Sequence, residues 1–229
     1  MIVVIQCAAT KRSDAGRLCR RDGRKVVFVA DPKRAAVNSE HAYAHPDALS
    51  DTGVSWRQFL IGYNANPGNN PLGLLRAYEL YQNAAYTRLV ERFGASNVYI
   101  LSAGWGLIGA SFLTPDYDIT FSVQAKKKTP WKFRRVDDRY EDLCHLPADV
   151  ADPVIFFGGK DYVPLFCKLT DGIRSRRTIF YRGGKPPETA SKPPGAPGCV
   201  LQEFPTSSRT NWHYECVRAF LEDKITFQP

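Results

Sequence analysis

What this 229-residue chain lacks narrows it first. No stretch approaches the roughly 20 consecutive apolar residues of a membrane-spanning helix, so no membrane partner is expected. The apolar run at residues 1–5 has no basic segment before it and is too short for the core of a signal peptide, so a cytoplasmic location is expected. None of the six cysteines (Cys7, Cys19, Cys144, Cys167, Cys199, Cys216) forms a Cys-x-x-Cys pair. A zinc site is therefore not expected, and dispersed free thiols suit a reducing compartment. The Gly-x-x-x-x-Gly-Lys-Ser/Thr spacing of a Walker A loop is missing. Internal repeats are absent too. Neither a metal nor a cofactor is called for, and no obligate protein partner is inferred.

Acidic residues are also in deficit. Lys and Arg number 31 against 23 Asp and Glu, a formal net charge of +8. Such a balance favours a polyanionic partner, nucleic acid first. A hydrophobic fraction of 44% supports a sizeable core. The expectation is one α/β domain over residues 1–229, with an insertion at 12–70 and a flexible loop, rich in Pro and Gly, at 183–198.

Short apolar, β-branched runs at 2–5, 26–30, 98–101, 154–157 and 178–181 read as strands. Residues 72–93 carry Leu74, Leu75, Tyr78, Tyr81, Ala85, Leu89 and Phe93 at helical spacing, with Asn83 as a break and Gly94 as a stop. Helices are also expected at 55–61, 162–169 and 211–221. Asn211 reads as the cap of the last one and His213 as exposed. Alternating strands and helices imply a mostly parallel central sheet flanked by helices. Ligands of such sheets bind beyond the carboxyl ends of the strands. That rule gathers residues 6–11, 102–106, 158–161 and the segment around Asp118.

Chemistry-bearing residues follow from that grouping. Asp118, after the glycine turn, is the catalytic candidate: a carboxylate can stabilise a sugar cation and activate water. The competing role for it is a turn or helix cap. The turn Ser102, Ala103, Gly104, Trp105 allows close approach to a ligand. Trp105 and Tyr117 are suited to stack on a base or to pack in the core. Gly159, Lys160 and Asp161 follow a buried strand and can cradle an anion, with Lys160 as phosphate contact or amine nucleophile. Gln6 can read a base edge; Cys7 is a nucleophile or a buried thiol. Lys11, Lys126, Lys127, Lys128, Arg134 and Arg135, interleaved with aromatics, are suited to track a DNA backbone. His41, His45 and Asn64 are further polar candidates in the insertion.

Several of these pieces together resemble the YaaA-like superfamily. The first strand with residues 6–11 is similar to that group's opening turn. Glu79, Leu80 and Tyr81 resemble its Glu-Leu-Tyr segment. Residues 98–108 resemble its strand ending in Leu-Ser-Ala-x-x-Gly-Leu. Residues 115–120 resemble its Pro-Tyr-Asp-x-Thr segment, aligning Tyr117 and Asp118 with Asp116 as an extra residue. The first turn here has less Ser and Lys than that group usually shows. Within this group, linked to DNA damage, base modification and phage defence, the resemblance implies an anti-phage DNA glycosylase. It would excise a modified base such as glucosylated hydroxymethylcytosine by hydrolysis, leaving an abasic site. An enzyme on free nucleosides or nucleotides and a non-catalytic DNA-binding protein remain the alternatives.

Overall fold

The computed structural model describes residues 1–36, 39–188 and 198–226. Most of the loop expected at 183–198 thus lies outside the described residues. Eleven strands and six α-helices occur among those described. In chain order they are β1 (Ile2–Gln6), β2 (Lys25–Phe28), β3 (His41–Ala44), α1 (Trp56–Ala65), β4 (Leu75–Arg76), α2 (Ala77–Leu80) and α3 (Ala84–Phe93). There follow β5 (Val98–Ser102), β6 (Gly106–Gly109), β7 (Leu113–Thr114), α4 (Val123–Lys128) and β8 (Leu143–Cys144). The chain continues with β9 (Val154–Phe157), α5 (Val163–Leu169), β10 (Arg177–Arg182), β11 (Cys199–Phe204) and α6 (Trp212–Leu221).

The fold is α/β with a mostly parallel central sheet in the order β11-β10-β9-β1-β5-β6-β8. β1 pairs in parallel with β5 on one side and β9 on the other. Its apolar residues are fully buried because both faces are covered. Successive strand residues face opposite sides. Phe156 stacks on Phe166 of α5, while Phe157 packs between Phe180 and Phe220 of α6. Neighbouring residues of one strand thereby set α5 and α6 on opposite faces. Helix α3 packs beside α6 and against β1 and β5.

The helical region expected at 72–93 breaks at Asn83 as anticipated, the Asn83 side chain accepting from the Ala85 N–H to cap α3. Its first part is a correction: residues 75–76 form β4, and α2 is only four residues long. The chain also turns back antiparallel directly after β5: Ser102 faces Gly106 across a hairpin, so β6 is not a crossover strand. Gly106 has φ +93°, and a Cβ there would lie 2.4 Å from the Leu143 carbonyl oxygen. Only glycine fits that crossing of β6 with β8. Residues 12–70 are not a mere appendage. β2 and β3 form a small parallel pair, and Phe28, Trp56 and Leu60 join the main core. No described helix is long and apolar enough to cross a membrane.

Chain order and strand order disagree between β1 and β9. From β1 the chain proceeds to β5, β6 and β8 on one side, then returns to β9 and moves away through β10 and β11. The two carboxyl ends at this reversal diverge into separate loops, which opens a crevice between them.

Candidate functional site

A cleft of about 600 Å³ occupies that crevice. Its floor is Gln6, Cys7 and residues 8–10 after β1, with Gly159, Asp161 and Tyr162 after β9. Gln82, Asn83, Thr120 and Ser122 form one side, and residues 209–214 at the start of α6 form another. The volume is in the range of small-molecule and nucleotide sites.

Two of the four loops grouped by the sequence do meet here. Gln6 Oε1 accepts a 2.6 Å hydrogen bond from the Gly159 N–H, tying the end of β1 to the end of β9. This leaves the Gln6 NH2 group without a partner among the described residues. Cys7 is buried, with Sγ 3.3 Å from the Tyr162 hydroxyl, as a small packed thiol on the cleft wall. Asp161 is the sole acidic residue in the lining. It forms no hydrogen bond or ion pair with a described residue. Burial raises its pKa, and the neighbouring Lys160 charge opposes the shift. A more basic carboxylate in a crevice is suited to take a proton from water.

The glycine turn does not contribute, and the segment around Asp118 reaches the cleft only through Thr120 and Ser122, which corrects the expectation for five residues. Asp118 does not line the cleft; it is half-exposed and pairs with Lys132 Nζ at 2.5 Å. Trp105 is completely buried, edge-on to Phe28 and to Tyr117. Tyr117 is buried as well, its hydroxyl accepting from Ser102 Oγ at 2.8 Å and sharing a hydrogen with Tyr81 at 2.9 Å. Neither ring is free to stack on a base. Ser102 Oγ also accepts from the N–H groups of Gly104 and Trp105, so it is spent on the turn itself. Gly104 is packed under Tyr117: a Cβ there would lie 3.1 Å from that ring.

Two buried arginines explain why this turn is core. Arg57 of α1 donates to the carbonyls of Trp105 and Gly104, both at 3.0 Å, and pairs with Asp47. Arg134 donates to the Ala103 carbonyl at 2.7 Å and pairs with Asp142 at 2.6 Å. Three successive buried carbonyls are thus satisfied by guanidinium groups. Arg134, expected on a DNA-binding surface, is instead buried and stacked 3.6 Å above Tyr140. Lys11 is likewise turned inward, with Nζ 4.2 Å above the Tyr117 ring, and burial lowers its pKa.

The remaining basic residues do lie at the surface beside the cleft. A second depression, about 510 Å³, shares Asp161 with the first and is lined by Lys126, Phe133, Arg135 and Lys160. A third, about 460 Å³, shares Lys126, Phe133 and Arg135 with the second and adds Arg34 and Arg139. The first two thus share one wall residue and the second and third share three; the outer lining mixes these cations with Asp31, Asp138 and Glu188. Lys127 and Lys128 are exposed on α4, adjacent to it. His41 and Asn64 line none of the three, and Asn64 is engaged with backbone groups of Leu60 and Leu113. His45 lines the third.

Residues 209–214 are the part of the site that sequence reasoning missed. Asn211 adopts a left-handed conformation (φ 57°, ψ 13°) and makes no side-chain cap. His213, expected to be exposed, is 3% exposed, and its Nε2 has no partner. Burial lowers its pKa from 6.5 to about 4. Between those values the unfolded chain binds a proton that the folded one excludes. Stability is therefore complete above the unfolded value and falls as pH drops toward the folded one. The full loss is about 3 kcal/mol for this group. Burial lowers the pKa of His45 and His145 in the same direction. Urea unfolding in mildly acid and neutral buffer is expected to show this slope, and His213→Gln to remove its largest share. An acid slope unchanged in that variant would contradict the assignment.

Compared with protein-family models, curated proteins and solved structures, the chain matches none of them.

Proposed function

We propose that the protein is a DNA glycosylase that removes a modified base by hydrolysing its N-glycosidic bond. The observation that carries this reading is one lone carboxylate, Asp161, in a nucleotide-sized cleft, on a wall shared with a neighbouring depression that carries Lys126, Arg135 and Lys160. A DNA strand would follow Lys160, Lys126 and Arg135, and the target nucleotide would swing out into the cleft at a cost of a few kcal/mol. The Gln6 NH2 group would donate to the base edge. Asp161 would take a proton from water as the water oxygen bonds to C1′. The C1′–N bond breaks, and the base leaves with the bonding electrons and picks up a proton. The product is an abasic site. The YaaA-like resemblance, a role in phage defence and a cytoplasmic location belong to this proposal, as does glucosylated hydroxymethylcytosine as the base.

The test is to incubate the protein with DNAs carrying different modified bases. Released base together with alkali-labile strand breaks is the expected result. Strand binding without any released base, across all substrates, would reduce the protein to a DNA-binding one. A separate expectation concerns the groove. Reversing the charge of Lys126, Lys127 and Lys128 to Glu should weaken DNA binding at least about tenfold and flatten its salt dependence, because fewer counterions are released. Unchanged affinity would put the strand elsewhere.

A further inference from the structure

We propose that the N-terminus of α6 is a phosphate-binding subsite of the cleft, taking the phosphate of a nucleotide. This deepens the reading of the same cleft, but it does not depend on glycosidic hydrolysis. Two independent observations meet there. The first is an uncapped helix of ten residues whose opening residues line the cleft. The N–H groups of Trp212 and His213 have no acceptor among the described residues. An uncapped first turn presents such donors together with the positive end of the helix dipole, which suits an oxyanion. The second is His213 itself. Its imidazole is almost fully buried, it lines the cleft, and Nε2 has no partner. A buried polar atom in that state has capacity for one further hydrogen bond at the edge of the cleft.

The surroundings agree with an anion. Arg209 and Thr210 line the same wall and add a guanidinium and a hydroxyl. Arg209 is exposed and forms no ion pair with a described residue. Glu215, the acidic residue of the first turn, does not line the cleft. Its carboxylate accepts from Thr206 Oγ1 at 2.8 Å and from Ser208 Oγ, which fixes the loop leading into the helix. Burial keeps the empty imidazole neutral, and a bound phosphate would favour its protonated form. A cleft of about 600 Å³ is far larger than a phosphate alone and has room for an attached nucleoside. Asp161 lies on the wall after β9, away from the α6 segment in sequence and in function.

The nucleotide phosphate could be a free phosphomonoester or a diester within DNA. The test separates them. Ring nitrogen resonances of His213 are followed at neutral pH on adding inorganic phosphate, deoxycytidine 5′-monophosphate, deoxycytidine or a short DNA strand. A saturable shift with a phosphate-bearing probe, absent with deoxycytidine, is the expected result. A response to the monophosphate alone assigns the site to free nucleotides, and a response to the strand alone assigns it to the DNA backbone. Arg209→Ala, at an exposed position, should weaken that probe at least about tenfold. His213→Gln, which retains an N–H donor, should weaken it as well. The inference is overturned by no shift with any phosphate-bearing probe, by an equal shift with deoxycytidine, or by unchanged affinity in Arg209→Ala. Base release is scored separately. Phosphate binding without base release removes the glycosylase reading alone, and the converse removes the subsite alone.

Discussion

Asp161→Asn is expected to lower base release by about 10³-fold while DNA binding persists. The amide keeps the size and half of the hydrogen-bonding capacity of the carboxylate but cannot take a proton from water or oppose a positive sugar. Asp161 lies on a short 3-10 turn between β9 and α5, and no ion pair with a described residue anchors it. The substitution should therefore leave stability nearly unchanged, which separates a chemical loss from unfolding. Removal of a negative charge from the wall between cleft and groove should, if anything, tighten DNA binding. Asp118→Asn is the matching control: it breaks a half-exposed pair with Lys132 and should change activity only a few-fold. The reverse ranking, with Asp118→Asn inactive and Asp161→Asn active, would return the chemistry to the loop after β7.

Arg134→Ala is expected to cost about 3–5 kcal/mol of stability, read as a lower urea midpoint. Its side chain is 1% exposed and that of Asp142 is 2% exposed. Truncation leaves a buried carboxylate without its partner and the Ala103 carbonyl without its donor. Such a loss is a large part of the 5–15 kcal/mol that typically separates folded from unfolded domains. Arg134→Lys retains the charge but not the fork that reaches two groups at once, so its loss should be smaller. A drop below about 1 kcal/mol in Arg134→Ala would show that the pair is not the clamp on the β5–β6 turn described above.

The strands were the most legible part of the chain. Residues 154–157 form a strand with the expected bounds, and β1 extends its expected run by one residue, because a run buried on both faces needs no alternation to be recognised. The first part of the helix over 72–93 misled for a specific reason. Leu74, Leu75, Tyr78 and Tyr81 repeat at helical spacing, yet Arg76 starts a new helix from an extended residue. β11 went unread because it follows directly on the Pro- and Gly-rich stretch. Without that strand, nothing in the pattern brought the start of α6 to the carboxyl end of the sheet, and Arg209 to Tyr214 were missed.

At the site, the first and third loops were readable from the rule about strand ends, and they do meet. The glycine turn after β5 was not. A turn of small residues around one tryptophan looks the same whether it faces a ligand or the core. The difference lies in Arg57 and Arg134, which reach its carbonyls from 47 and 31 residues away. Local spacing carries no trace of such pairings. The same limit applies to Arg134 within its basic run: Arg135 beside it is exposed, and only packing tells the two apart.

The most direct measurement of the central claim is a photocrosslink from a DNA strand whose target base carries the photoreactive group, with the attachment points mapped by mass spectrometry. Attachment within residues 6–10, 82–83, 120–122, 159–162 or 209–214 is the expected result, since these segments enclose the cleft between the ends of β1 and β9. Attachment confined to other segments, or none above that of an unreactive strand, would contradict the placement of the nucleotide in this crevice.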